Sequence, residues 1–234
     1  MRKTLGAALL CCGTLAHCNT SENILERCAP AMLRLSFLDK DTGKTSLYST
    51  GFFISDDGVG LTAAPILESM QDSKILVKTY EGKEASAEPI VYEELPAIGL
   101  LQVDTKETPK IPLASKVREG DRAFVLGIKD KHVYFNEVFI TDTKHHWVRK
   151  TGNGFADDYV IRFTGPIPKE CIGGPILNEK GKAIGVVFNI ELGLGIAMET
   201  KKLKEIGKTD EDEWRLAKSW KLVREGIYKK FLDN

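Results

Sequence analysis

Residues 169–188 read KECIGGPILNEKGKAIGVVF, and the punctuation of this stretch guides the reading of the whole chain. Gly173-Gly174-Pro175 calls for a tight backbone passage, since glycine tolerates close approach and positive φ while proline cannot continue a helix. Gly181-Lys182 marks a second turn, and KAIGVVFNI (182–190) then has the apolar density of a strand entering a core.

Upstream segments read the same way. LRLSFL (33–38), SLYSTGFFIS (46–55) and VGLTAA (59–64) are short β-type runs, with Asp57-Gly58 as a tight hairpin turn. KILVKTY (74–80), the Glu81-Gly82 turn and EASAEPIVY (84–92) follow. AIGLLQV (97–103) is apolar enough to be buried on both faces. DRAFVLGI (121–128), HVYFNEVFIT (132–141), DYVIRF (158–163) and LGIAM (194–198) complete the set. Many short strands at this spacing predict an all-β sandwich or barrel. The tail differs: Thr209 to Asp212 fits a capping box, and Leu216, Trp220, Val223, Ile227 and Phe231 recur at helical spacing. That pattern predicts a C-terminal α-helix that packs on the domain and buries Trp214 and Trp220, or else meets a partner.

Of the 234 residues, 33 are Lys or Arg and 33 are Asp or Glu, which gives no reason to expect nucleic acid as a partner. No internal repeat or low-complexity tract is present. The N-terminus MRKTLGAALLCCGTLAHC pairs Arg2-Lys3 with an apolar run from Leu5 to Ala16, the shape of an export signal. Two processing outcomes stay open. Cys18 follows a lipobox-like TLA with an atypical His17, which would make it a lipidated first residue and the protein an envelope or periplasmic lipoprotein. Cleavage after Ala16 would instead release a secreted form. Cys11 and Cys12 leave with the signal. With Cys18 lipidated, Cys28 and Cys171 form an even pair that could close a disulfide; with Cys18 free, three pairings compete. No CxxC or Cys/His ligand set is present, so neither a metal nor another cofactor is expected.

Three segments, in order, resemble the trypsin-like serine proteases and most closely their HtrA-type bacterial branch. They are STGFFISDDGVGLTAAPIL (49–67), AIGLLQVD (97–104) with ETPKIPLAS and VREGDRAFVLG after it, and IPKECIGGPILNEKGKAIGVVF (167–188). The resemblance runs from about residue 45 to 206. It implies a double β-barrel with its cleft at the junction. The corresponding division is 1–18 export signal, 19–30 linker, 31–112 first barrel half, 113–200 second half and 201–234 C-terminal helical segment. HtrA-type enzymes carry a PDZ domain after the protease, for which that last segment is too short.

Carried over residue by residue, the family's catalytic histidine falls on Pro65, its aspartate on Ala97 and its nucleophilic serine on Ile172. A triad needs a hydroxyl, an imidazole to take its proton and a carboxylate to orient the imidazole. None of these three side chains supplies such a group. The glycine that shapes the oxyanion hole falls on Glu170, whose side chain disfavours positive φ and brings negative charge. The expectation is a catalytically inactive homologue that binds protein or peptide. The alternative is a peptidase with an unconventional nucleophile such as Cys171, one place short of the family's position. For that chemistry His132 opens a strand, and His145-His146 are expected in a loop before Trp147.

Overall fold

A computed structural model describes residues 13–68, 73–91, 97–151 and 154–204. Among these residues twelve strands close into two six-stranded antiparallel barrels, the arrangement the resemblance implies. The first contains β1 (Met32–Asp39), β2 (Thr45–Phe53), β3 (Val59–Ala63), β4 (Ser73–Thr79), β5 (Glu84–Val91) and β6 (Ile98–Val103). The second contains β7 (Arg122–Lys129), β8 (His132–Thr151), β9 (Gly154–Thr164), β10 (Pro175–Asn178), β11 (Ala183–Glu191) and β12 (Leu194–Glu199). The Asp57-Gly58 turn is present, closed by the Ile54 N–H on Val59 O at 2.9 Å. The expected C-terminal helix over 209–234 lies outside the described residues.

Burial follows strand alternation. Val125, Val138, Ile161, Phe163, Ile176 and Val187 pack together in the second barrel. On the opposite face of those strands, Phe124, Leu126, Ile128, Val186 and Phe188 join the cluster that also holds Phe37, Phe52 and Phe53 of the first barrel. The two barrels therefore share apolar surface. Each fully buried large side chain contributes about 1.5–3 kcal/mol, which makes this shared surface the principal adhesive. The linking segment adds a parallel bridge, Leu113 to Ala183, and Thr200 Oγ1 donates to Ala114 O at 2.7 Å.

Three expectations need correction. Residues 19–30 are not a linker: helix α1 (Gly13–Cys28) runs into a 3-10 turn (Ala29–Ala31) and seats Ile24 and Cys28 in the core. Arg27 Nη2 donates to Lys180 O at 3.3 Å, and Arg122 Nη2 to Ser21 Oγ at 3.3 Å, which ties α1 to the second barrel. Cys18 thus falls within a helix. The Cys28–Cys171 disulfide is not formed, and both thiols are free and buried. Cys28 Sγ donates to Gly181 O at 3.5 Å from the end of α1, whereas Cys171 sits among the interior side chains of the second barrel. Last, His145 and His146 lie within strand β8, paired with Val160 and Tyr159 of β9, because β8 continues well past its expected end.

Candidate functional site

The tight passage at Gly173-Gly174 forms an elbow pressed against the first barrel. A Cβ on Gly173 would overlap the carbonyl oxygen of Thr50 and lie 2.6 Å from Thr62 Oγ1; φ here is +86°. Such contact with two first-barrel strands requires glycine. A Cβ on Gly127 of β7 would likewise overlap Glu170 O and fall 2.7 Å from Cys171 N. Gly173 donates to Val187 O at 2.7 Å, and the Val187 N–H returns a bond to Gly174 O at 2.9 Å, so β11 holds the elbow from its other side.

Thr50 ties these elements together. Its hydroxyl donates to Glu170 O at 2.6 Å and accepts the Ile128 N–H at 3.0 Å. Its own N–H donates to Ile172 O at 3.2 Å, and its carbonyl accepts from Thr62 Oγ1 at 2.7 Å. Ser49 Oγ also donates to Ile172 O, at 3.2 Å. Thr50 itself is fully buried, so its amide, carbonyl and hydroxyl find their partners within the protein.

The structure brings Pro65 and Ala97 to the same end of the β3–β6 pair. Pro65 is half-buried in the short helix α2 (Ala64–Glu68), and the Ala64 N–H donates to the carbonyl of buried Ala97 at 3.0 Å. Ala97 has φ +58°, a left-handed conformation that costs a non-glycine residue about 1–2 kcal/mol. Ile172 lies at the elbow itself, half-buried and extended (φ −63°, ψ 129°).

At Glu170 the conflict foreseen between side chain and positive φ does not arise. Lys169–Cys171 is a 3-10 turn, and Glu170 is not among the positive-φ residues. The turn also redirects its amides. Ile172 N–H donates to Lys169 O at 3.1 Å, and Cys171 N–H to Pro168 O at 2.9 Å. The Glu170 carboxylate is held below its ordinary pKa, first by its own backbone N–H and then by Lys129, whose Nζ is 3.3 Å away. The amide of residue 172 is therefore already hydrogen-bonded within its own turn.

Cys171 is fully buried, and desolvation together with the Glu170 charge pushes its pKa up to about 12. Burial likewise pushes Cys28 up to about 11, against a smaller opposing pull from Arg27. Both are thiols at neutral pH, and a thiol is a poor nucleophile. Peptide mapping after iodoacetamide should therefore find Cys28 and Cys171 unmodified in native protein and both modified in urea. A pH effect on stability follows. Unfolded thiols ionise near 9.0, below the folded values of about 11 and about 12. Their contribution is complete below pH 9 and is lost as pH rises from 9 to 12. Urea midpoints should fall across that window, and less steeply in Cys171→Ser.

His145 Nδ1 lies 3.6 Å from Asp142 Oδ2, and the His132 ring meets Tyr134 edge-on at 4.8 Å. No group of three or more His, Cys, Asp or Glu side chains suited to a metal occurs among the described residues. A depression of about 780 Å³ lined by Asp56, Asp57, Glu88, Asp104 and Glu107 shares no residue with the elbow. Sequence reasoning missed Thr50, Ser49 and Thr62. Ser49 and Thr50 show only as a polar pair, ST at 49–50, inside a strand otherwise destined for the core, and Thr62 as a lone polar residue in VGLTA (59–63).

Comparison with known proteins agrees with this geometry. A family model described as a trypsin-like peptidase domain matches residues 49–186, more than half of the chain. Serine protease HTRA1B of Danio rerio is 24% identical over 196 residues, covering 80% of this chain and 40% of that protein. The mitochondrial serine protease HTRA2 of Bos taurus is 24% identical over 200 residues, covering 80% and 42%. The chain thus spans about two-fifths of the length of these relatives. Among solved structures, the HtrA-type protease AlgW with tripeptide superposes with a TM-score of 0.67 at 22% identity, covering 80% of this chain and 62% of that one. The active form of the Rv3671c protease from M. tuberculosis gives 0.69 at 17% identity, covering 88% and 91%. At such identities the structural likeness speaks for the fold alone.

Proposed function

The chain belongs to the trypsin-like peptidase family, and from that premise we propose that this member binds polypeptide without hydrolysing it. The observation that carries the reading is the Ile172 N–H bonded to Lys169 O. Hydrolysis needs preorganised donors aimed at the developing oxyanion, and a donor already bonded within its own turn must be freed first. Three further features support it. Pro65, Ala97 and Ile172 offer no proton acceptor or nucleophile at the positions the family uses. The carboxylate of Glu170 places negative charge beside the same turn. Pro65 and Ile172 are half-buried apolar surface, suited to holding a segment of chain.

The ligand in this reading is an extended polypeptide lying in the seam between the barrels. Export, by lipid anchor at Cys18 or by secretion, is part of the same proposal and rests on the N-terminal sequence pattern. A nucleophilic Cys171 is the competing reading, and the burial of that thiol weighs against it. Purified protein incubated with β-casein and with a peptide library should give no cleavage above buffer while retaining casein in a binding assay. Turnover that a single substitution abolishes would overturn the proposal. Turnover lost both to iodoacetamide and to Cys171→Ser would establish the competing one.

A further inference from the structure

Strand β8 is far longer than the barrel requires. Its pairing with β7 ends at Phe139 opposite Arg122, and β9 pairs with β12 only from Ile161 to Thr164. Beyond that, among the described residues His145–Thr151 and Gly154–Val160 pair only with each other, as a two-stranded ribbon. Two register irregularities, between Ile140 and Asp142 and between Asp142 and His145, fall where the ribbon leaves the barrel. Bulges bend a strand and re-aim its side chains, so this is where a hinge would lie. An isolated two-stranded ribbon is marginal in water and needs a surface to pack on.

That surface is Phe188. Trp147 packs on it with ring centroids 4.6 Å apart and planes inclined at 60°. Phe188 follows Val187, the residue that clasps the elbow, and it falls at a register irregularity between Val187 and Asn189 of β11. With the indole in place only 6% of Phe188 is exposed. The aromatic seat next to the elbow is thus already filled from within the chain.

We propose that this ribbon is a built-in occupant of the polypeptide-binding face. Trp147 rests on Phe188 where a large apolar side chain of the partner would rest. The partner is accordingly an extended segment bearing such a side chain, and it binds by displacing the indole. The proposal depends on the polypeptide-binding reading above, and the experiment separates the two. Binding of fluorescein-labelled β-casein is measured for the full chain, with amide exchange of the ribbon as a second readout.

Trp147→Ala should bind about tenfold more tightly, in proportion to the loss of one aromatic pair, with faster exchange at 145–151. Trp147→Phe should resemble the parent. Phe188→Ala, which frees the ribbon but deletes the seat, should bind no more tightly than the parent. If Trp147→Ala opens the ribbon yet leaves affinity equal or lower, the ribbon is not an occupant. The cleft reading survives that result provided Ile172→Arg still weakens casein binding. If neither parent nor Trp147→Ala binds casein, both proposals fall.

Discussion

Gly173→Ala is expected to leave no cooperatively folded protein at 37 °C. The added methyl would overlap the Thr50 carbonyl oxygen and stand 2.6 Å from Thr62 Oγ1 and 3.0 Å from Ser49 Oγ. Two of these three are held fast, the carbonyl in the strand and Thr62 Oγ1 by its bond to Thr50 O, so relief means parting the barrels. The backbone adds its own term, because φ +86° is unfavourable for alanine. Together the clash and the strain cost more than about 4 kcal/mol, a large part of the stability of an ordinary domain. Gly120 provides the control. Its φ is +82°, but an added Cβ meets nothing within 4 Å. Gly120→Ala should therefore lose only about 1 kcal/mol. Circular dichroism melts of the two variants test the argument, and similar losses would show that strain alone, not contact across the seam, sets the effect.

Thr50→Val should be the next most damaging change. Valine keeps the branched shape but removes the hydroxyl, which leaves the Ile128 N–H without its partner and Glu170 O short of a donor. Unmet buried polar groups cost about 1–3 kcal/mol each, so a loss of about 3 kcal/mol is expected, or a fall in Tm on the order of 10 °C. Thr50→Ser, which restores the hydroxyl, should recover most of it. Amide exchange at Ile128 gives a specific readout, because its protection should fall in Thr50→Val before the barrels unfold globally. Unchanged protection at that amide would mean the hydroxyl is not its essential acceptor.

How far the sequence could be read depended on whether each element faces a core. Strands β3 and β6 announce themselves because nearly every side chain is buried, and β1 because burial alternates along it. The second half of β8, DTKHHWVRKT (142–151), carries no such pattern. Among the described residues it pairs only with β9 and has no barrel interior to fill, so nothing imposed an apolar period on it. Helix α1 was equally hard to see beyond the export signal, since its later turns show just Ile24 and Cys28, four residues apart, as core positions. The pairing of Cys28 with Cys171 failed for a different reason: an even count gives no distance, and the two thiols serve separate clusters.

At the site, side-chain chemistry was legible in the letters. Pro65, Ala97 and Ile172 carry no ionisable group in any fold, and the glycines of the elbow signal a close backbone approach before any neighbour is known. What the letters did not disclose is the fate of the backbone. Whether the amide of Ile172 points outward or bonds inward depends on the 3-10 turn at 169–171 and on the Thr50 hydroxyl that holds Glu170 O from 120 residues away. An N–H direction follows from dihedral angles and neighbouring acceptors, not from the identity of its residue, so it took the assembled barrels to assign that donor.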